Sequence, residues 1–276
     1  GVTGVQTCAL PIYERSSMNP IVRIMFKWLG FYTIRQSNFT AWKDSSLERD
    51  MKIFKKYVAE CYSIAFFPEG MRNPDSSILR CHKGPFYLAQ QLNVDVLPVL
   101  LHGVNFLMPI QSFACYKGEI IMQVGKRITP DNKIWDEKYS IMAQNVHNLM
   151  KTEYKDLCDK YETSSYFAPL VKDRYRYKGT ELFQEINRNL KNHNNYSYLI
   201  DHPQPDYVVI KNCGYGEMPL LLALVHPGVK IIAIDSDEEK LTVARYAAEG
   251  IVDNLEYHNS IDLTTIQNMK FYDLYE

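Results

Sequence analysis

The sequence predicts an α/β protein built from two consecutive α/β units, and three observations predict this class. Apolar runs of strand length alternate with segments of helical periodicity, which is typical of a mainly parallel sheet covered by helices. This pattern breaks at about residues 162–167 and resumes near residue 205. The net charge of −1 is also divided unevenly, because residues 13–165 carry 20 Lys and Arg against 16 Asp and Glu, whereas residues 166–276 carry 11 against 16. A basic segment followed by an acidic one favours two units with different partners.

The first predicted element is a helix over residues 19–30. Ile21, Met25 and Trp28 share one face of this helix, and Arg23 and Lys27 lie on the other. Such a helix is compatible with lying in a membrane interface, and it is equally compatible with ordinary packing on the domain.

The following elements of the first unit rest on capping and periodicity. Ser45 and Glu48 form a capping box at the start of a helix, and Pro85 suits the first turn of another helix that continues to Leu92. We predict strands at 63–67, 94–101 and 119–124 and a long helix over 137–160.

The stretch Phe66 to Arg72, reading FFPEGMR, joins a carboxylate, a glycine and a cation in one turn after an apolar strand. Ligands of open α/β sheets bind beyond the carboxyl ends of the strands. Gly70 allows a close backbone approach, and the planar fork of Arg72 suits a phosphate, so Glu69, Gly70 and Arg72 are candidate site residues. The alternative is that Glu69 and Arg72 form an ion pair that only stabilises the turn.

This stretch resembles the F-P-E-G-T-R motif of the glycerolipid (lysophospholipid, PlsC-like) acyltransferase family, with Met71 in place of threonine. Residues 30–35, Lys83-Gly84 and 96–99 resemble further blocks of that family in the same order, so the resemblance covers about residues 18–130. It implies a PlsC-like acyltransferase sheet with flanking helices.

The resemblance also implies site residues and substrates. Glu69, Gly70 and Arg72 correspond to the acceptor site and Arg35 to a phosphate-binding position, while Lys83 is either a further substrate contact or a solvated lysine at a helix start. The implied donor is acyl-CoA or acyl-ACP (acyl carrier protein), and the implied acceptor is the hydroxyl of a lysophospholipid at a membrane surface.

The family's catalytic His-x-x-x-x-Asp motif is absent from this chain. None of the seven histidines has an aspartate five positions later: His82, His102, His147, His193, His202, His226 and His258. We therefore assign no catalytic residue and expect the acyltransferase domain to be N-terminally truncated and this chain by itself to be inactive, because general base catalysis needs an oriented imidazole.

Residues 1–12 resemble a translated sequencing adapter, and we exclude them from fold reasoning. We expect two separate sheets, one from about residues 20–130 and one from about residues 205–276, and we expect residues 1–12 to pack against neither. The chain is then expected to be an open reading frame from a truncated read or contig of metagenomic type. On this interpretation residues 13–165 form the acyltransferase domain, residues 166–204 a helical connector, and residues 205–276 a truncated second domain.

The second unit contains a β-α-β-α series with a glycine loop. A strand over 206–210 leads into Asn212-Cys213-Gly214-Tyr215-Gly216, and a helix over 219–225 follows. The next strand, over 230–234, ends in Asp235, 19 residues after Gly216, and a helix over 238–248 comes after it. In such an arrangement a cofactor lies against the glycines and its ribose hydroxyls bind the acid. Gly214, Gly216 and Asp235 are therefore candidate cofactor-binding residues.

This series resembles the start of a class I S-adenosylmethionine-dependent methyltransferase over about residues 205–262, which implies a partial Rossmann-like sheet and S-adenosylmethionine as cofactor. The loop departs from that family, since Ile210 stands where an acid is usual and Asn212 where the first glycine is usual. We expect the fourth strand to begin only at residues 272–274. Nicotinamide dinucleotide binding is the rival interpretation.

The order of the two units is similar to bacterial fusions of an RND/MMPL-type transporter, an acyltransferase and a methyltransferase. This implies a peripheral location at the cytoplasmic face of the inner membrane, with tethering by an upstream transporter domain. Two alternatives stay open, namely methyl transfer as the chief activity and a non-catalytic, membrane-facing scaffold.

Composition limits other classes of function. Six cysteines without C-x-x-C spacing indicate reduced thiols and no zinc or other metal site, and no apolar run reaches the length of a transmembrane helix. The basic, tyrosine-rich stretch 172–178 is read as a connector rather than a nucleic-acid surface, and no nucleic-acid partner is expected.

Overall fold

The computed structural model describes residues 11–14, 32–35, 45–71, 73, 77–109, 115–191, 200, 202, 204–260 and 269–273. These residues form a mixed α/β protein. By their contacts they divide into two compact units, the first comprising Gly1–Asn73, Ser77–Val99 and Val124–Thr152 and the second Pro74–Ser76, Leu100–Gln123 and Glu153–Glu276. None of the described sheets combines strands from before and after residue 165.

The early part of the chain contributes two strands and two helices: β1 (Pro11–Glu14), β2 (Tyr32–Arg35), α1 (Ser45–Ala59) and α2 (Gly84–Leu92). Helix α2 carries a proline in its first turn, as predicted. It ends at Asn93, which has a left-handed φ of 50° and whose N–H donates to the carbonyls of Ala89 and Gln90. The predicted helix over 19–30 lies outside the described residues.

Two expectations for this region are wrong. Residues 1–12 were expected to pack on nothing, yet Pro11 and Ile12 pair in parallel with Tyr32 and Thr33. The predicted strand over 63–67 is also missing, because Ile64 makes only an isolated bridge there. None of residues 63–67 is buried, and a short, mostly apolar run does not by itself show whether the segment pairs with a neighbouring strand.

A second two-stranded sheet joins β3 (Val99–His102) to β4 (Ile121–Val124), with the short helix α3 (Val104–Leu107) between them. The single sheet predicted from about residue 20 to residue 130 is thus replaced by two separate pairs of strands in the described part. Burial alternates along β3, so Leu100 and His102 are buried while Val99 and Leu101 are exposed.

Helices and one 3₁₀ turn follow: α4 (Tyr139–Tyr161), α5 (Ser164–Asp173), the 3₁₀ helix Arg176–Lys178 and α6 (Thr180–Lys191). Thr163 caps α5, since its hydroxyl accepts from the N–H of Tyr166. No helix in the described ranges is both long enough and apolar enough to cross a membrane.

The C-terminal sheet has four strands and two helices: β5 (Tyr207–Lys211), α7 (Glu217–Val225), β6 (Lys230–Ile234), α8 (Glu238–Ala248), β7 (Leu255–His258) and β8 (Met269–Asp273). All pairs are parallel, in the order β7-β6-β5-β8. This is the order 3-2-1-4 of a doubly wound sheet. The fourth strand is therefore already present at 269–273, which corrects the expectation that it would only begin at residues 272–274.

Helices α5 and α6 share the buried core of this second unit with the sheet. The largest contributions come from apolar side chains of α5, α6, α7 and β5: Phe167, Val171, Ile186, Leu220, Leu221 and Val208. In a parallel sheet both faces are covered, which is why β5 and β6 are apolar almost throughout. Helix α7 is also apolar almost throughout, because nearly all of its residues are buried.

Candidate functional sites

The Pro-Glu-Gly turn is held by backbone hydrogen bonds to the segment that leads into α2. The N–H of Gly70 donates to the carbonyl of Phe67 at 3.0 Å, and the N–H of His82 donates to the carbonyl of Pro68 at 2.7 Å. Gly70 has a φ of +69°, and a Cβ there would lie 2.8 Å from two atoms of the His82 ring. The turn therefore needs glycine both for its backbone conformation and for the imidazole above it.

Glu69 is fixed within this turn but keeps part of its hydrogen-bonding capacity. Its Oε2 accepts the N–H of Leu79 at 2.7 Å, and no described residue donates to Oε1. Burial raises the pKa of Glu69, while the bond from Leu79 and the charge of His147 act in the opposite direction. A partly buried carboxylate with a free oxygen can accept a hydroxyl or a cationic group from a ligand.

Two neighbours of Glu69 were not predicted from the sequence. His147 of α4 lies near enough to influence Glu69 electrostatically, and its Nδ1 is buried with no hydrogen-bond partner among the described residues. Cys81 is buried as well, and desolvation together with the charge of Glu69 raises the pKa of this thiol to about 11. The position of His147, 78 residues after Glu69, gives no local signal of this proximity.

The structure describes only some of the other residues predicted for this site. Arg35 is the last residue of β2, so its backbone position is known, and Lys83 is exposed at the start of α2 without a capping hydrogen bond. Arg72 lies outside the described residues. The structure thus brings together Glu69 and Gly70 in one turn, and the roles of Arg35, Arg72 and Lys83 stay predictions.

Two large apolar side chains on either side of Glu69 are exposed. Phe67 is 65 % and Met71 is 70 % accessible to solvent. A polar turn with exposed apolar flanks is suited to a ligand that has a polar head and an apolar chain.

The second candidate site is the loop between β5 and α7, where the predicted residues do meet. Asn212, Gly214 and Gly216 all have positive φ values, of 50°, 59° and 80°. A Cβ at Gly216 would lie 2.6 Å from the Cβ of Ala244 and 2.7 Å from the Tyr257 ring, so glycine is needed here for internal packing.

Asp235 holds this loop from the end of β6. One of its oxygens, Oδ2, accepts the N–H of Gly214 at 2.7 Å, and Oδ1 accepts the N–H of Asp237 at 2.9 Å. The residue is only 9 % exposed. Both carboxylate oxygens therefore already have a backbone partner, although a carboxylate has about four acceptor positions.

Buried tyrosines and one buried acid complete the second loop. The hydroxyl of Tyr175 donates to the carbonyl of Tyr215, and that of Tyr257 donates to the carbonyl of Gly216. Glu217 is 5 % exposed, its Oε1 accepts from Asn189, and its Oε2 has no partner in the described part of the chain. Burial raises the pKa of Glu217.

The part of the chain that contains the first site is similar to known proteins. Residues 5–102 match the family model described as "Acyltransferase". Over 137 residues, half of this chain, the sequence is 26 % identical to the human 1-acyl-sn-glycerol-3-phosphate acyltransferase beta, covering 47 % of that protein. It is 32 % identical over 97 residues to a 1-acyl-sn-glycerol-3-phosphate acyltransferase of Chlamydomonas reinhardtii, covering 35 % of this chain and 29 % of the relative.

Among solved structures, the chain is similar to the 1-acyl-sn-glycerophosphate acyltransferase PlsC from Thermotoga maritima. The TM-score is 0.42 with 21 % identity, and the match covers 55 % of this chain and 57 % of the other. The chain spans less than half the length of the curated relatives described above. The residues that match the family model, 5–102, include the Pro-Glu-Gly turn.

Proposed function

We propose that this protein takes part in acyl transfer from a thioester donor to the hydroxyl of a lysophospholipid of the 1-acyl-glycerol-3-phosphate type. The observation that carries the proposal is the acyltransferase match over residues 5–102, which contains the ordered turn with Glu69. The free oxygen of Glu69 and the cation of Arg72 suit the glycerol and phosphate parts of the acceptor.

In this proposal the chain binds the acceptor but supplies no general base. No His-x-x-x-x-Asp motif is present in the sequence, and losing general base catalysis costs roughly 10²–10⁴-fold in rate. Acyl-CoA and acyl-ACP are both compatible donors.

The experiment measures free thiol release from acyl-CoA with 1-acyl-glycerol-3-phosphate present. We expect thiol release by a longer form of the protein whose upstream sequence supplies the His-x-x-x-x-Asp motif. This chain alone should release thiol only at the background rate. In the active form, Glu69→Ala and Arg72→Ala should each lower kcat/KM about 100-fold, since each removes a charged contact of about 1.5–3 kcal/mol. Glu60→Ala, at an exposed acid directly after α1, is the matched control and should leave the rate unchanged. A parental rate in Glu69→Ala would place the acceptor elsewhere.

The exposed apolar flanks of the turn support contact with a membrane surface. Phe67→Asp should weaken binding to anionic phospholipid vesicles about tenfold, because an inserted aromatic side chain contributes about 1.5–3 kcal/mol. Tyr246→Asp makes the same charge change at an aromatic side chain that is 59 % exposed, and it should bind like the parent. Equal losses in the two variants would indicate a general charge effect and remove this support.

A second candidate function is favoured by the order β7-β6-β5-β8 and by the glycine loop at the carboxyl end of β5. We propose that Gly214, Gly216 and Asp235 bind S-adenosylmethionine weakly. The alternatives to acyl transfer as the chief function are methyl transfer and a non-catalytic scaffold role. Calorimetric titration with S-adenosylmethionine tests this, comparing the parent with Asp235→Asn under conditions in which both are folded. Equal affinity would show that Asp235 does not contact the cofactor.

The cellular setting belongs to the same proposal. We place the protein peripherally at the cytoplasmic face of the inner membrane, with tethering by a transporter domain encoded upstream, as in the bacterial fusions. Fractionation of cells that express the complete gene is the measurement.

A further inference from the structure

A partly buried cluster in the second unit combines three side chains that commonly bind transition metals. His102 ends β3, while Cys158 and Glu162 lie one helical turn apart at the end of α4, where the N–H of Glu162 donates to the carbonyl of Cys158 at 2.8 Å. One donor atom from each of the three side chains lies within 4.8 Å of the other two.

Two of these atoms face each other without a hydrogen bond. The side chain of His102 is 0 % exposed, and its Nε2 lies 3.7 Å from Oε1 of Glu162. Within the described residues neither atom has a hydrogen-bond partner. Buried polar atoms are rarely left unpaired, and each such atom costs about 1–3 kcal/mol.

The other face of the imidazole is oriented. Nδ1 of His102 lies 3.2 Å from the hydroxyl of Tyr154, one turn before Cys158 on α4. A histidine that binds a metal through one nitrogen usually donates the other N–H to an oxygen acceptor, which fixes the ring. Here Tyr154 occupies the acceptor position and leaves Nε2 directed at Glu162.

We propose that His102, Cys158 and Glu162 bind a zinc ion. Imidazole nitrogen, thiolate sulfur and carboxylate oxygen are all zinc ligands, and tetrahedral zinc with bonds of about 2.0–2.3 Å separates its ligand atoms by about 3.3–3.6 Å. The observed 3.7 Å between nitrogen and oxygen is within a few tenths of an ångström of that separation. The Sγ of Cys158 lies 3.9 Å from Nδ1 of His102, so binding through Nε2 requires the thiolate to turn towards Glu162. The fourth position is then taken by water or a small ligand.

Ions reach this site from the side of Glu162. Its side chain is 16 % exposed, whereas His102 is enclosed by the rings of Phe106, Tyr154 and Tyr166. The missing C-x-x-C spacing, which argued against a zinc site at the sequence level, excludes only sites built from cysteine pairs. The site is independent of the proposed acyl transfer, since none of its ligands belongs to the turn around Glu69.

The experiment uses the full chain with Cys61→Ser and Cys115→Ser as background, because both cysteines are exposed and would bind metal adventitiously. After chelator treatment, titration with Co²⁺ should give one ion per chain and a thiolate-to-cobalt charge-transfer absorption, which stoichiometric Zn²⁺ should abolish. Cys158→Ala should lose the absorption band. Cys81→Ala, which removes another buried thiol, is the matched control and should retain it.

Two further variants separate a metal site from a buried hydrogen-bonded cluster. Glu162→Gln keeps the size of the side chain and should weaken Co²⁺ binding at least tenfold, and Tyr154→Phe should weaken it about 10–100-fold. Circular dichroism verifies that each variant is folded. The absence of a thiolate band in the folded parent protein, or the same band and stoichiometry in folded Cys158→Ala or Glu162→Gln, would overturn the proposal.

Discussion

The molecule contains two glycine turns with a nearby acid, and the two acids are used differently. In the turn at 67–71, Glu69 accepts one backbone N–H and keeps one oxygen without a described donor. In the loop at 212–216, Asp235 accepts two backbone N–H groups, one on each oxygen. In both places an acid lies beside a glycine turn with positive φ, but the carboxylate of Glu69 keeps more hydrogen-bonding capacity for a ligand than that of Asp235.

The residues around the two turns differ in the same way as the two acids. Exposed apolar residues flank Glu69, whereas two buried tyrosine hydroxyls bind the carbonyls of the second loop. The second loop is thus stabilised from within, and the first is open to solvent on one side. The contrast predicts that mutations in the second loop act mainly on stability and mutations in the first mainly on binding.

The largest expected effect is that of Asp235→Ala. The substitution leaves the N–H groups of Gly214 and Asp237 without their charged acceptor, and at about 1.5–3 kcal/mol per bond we expect a loss of about 4 kcal/mol in the free energy of unfolding. Glu69→Ala removes one such bond at a half-exposed turn and should cost about 1 kcal/mol.

The unfolding of the two units must be measured separately. All three tryptophans precede residue 153, at positions 28, 42 and 135, so urea unfolding followed by tryptophan fluorescence suits the Glu69 variant. Amide hydrogen exchange in β5 and β6 suits the Asp235 variant. If Glu69→Ala proved as destabilising as Asp235→Ala, the distinction between the two acids would be lost.

The second prediction compares the glycines. Gly216→Ala places a methyl group against Ala244 and Tyr257, which cannot move easily, and it forces alanine to adopt a φ of +80°. We expect the free energy of unfolding to fall by about 3 kcal/mol. Gly70→Ala meets only the ring of His82, an exposed side chain able to rotate away, and should cost about 1 kcal/mol. Thermal unfolding of both variants is the test, and the reverse order would contradict the assignment of rigid and open turns.

The third and smallest effect concerns the pH dependence of the second loop. Burial raises the pKa of Glu217 above its ordinary value of 4.5, so the folded protein holds this proton more tightly than the unfolded chain. Stability from this group is then fully present below the unfolded pKa and is lost as the pH rises through the folded pKa. Glu217→Gln removes the titration, and its stability relative to the parent should rise with pH. Urea unfolding between pH 4 and pH 8 measures this difference; parallel curves for the two proteins would show that Glu217 carries no such cost.

Much of the second unit was predictable from sequence. The strand Lys230–Ile234 and the helix Glu238–Ala248 have the predicted limits, because Asp237 caps the helix and the central residues 231–233 of the strand are apolar and buried. The long helix α4 begins two residues after its predicted start. The strand at 63–67 failed because pairing depends on partners elsewhere in the chain.

The candidate sites show where local patterns stop being informative. The turn of Glu69 and the loop of Asp235 were visible because their residues are adjacent or follow a known spacing. His147 and the cluster of His102 with Cys158 were invisible, since 56 residues separate the latter two and no spacing links a strand end to a distant helix. The sequence also could not predict whether the oxygens of Asp235 accept hydrogen bonds within the protein, because the donors are backbone N–H groups, which every residue type except proline has.

Arg174 shows what the tyrosine-rich stretch 172–178 contributes to the fold. The guanidinium is 4 % exposed and donates to the carbonyls of Ala247, Glu249 and Tyr246 at the end of α8, and it lies over the ring of Tyr116. The neighbouring Asp173 accepts the N–H of Lys117. A protease cut that separates Arg174 from α8, or Asp173 from Lys117, is therefore expected to destabilise this unit rather than to sever a tether. The smallest piece of this unit expected to survive digestion begins before Tyr116 and includes α8.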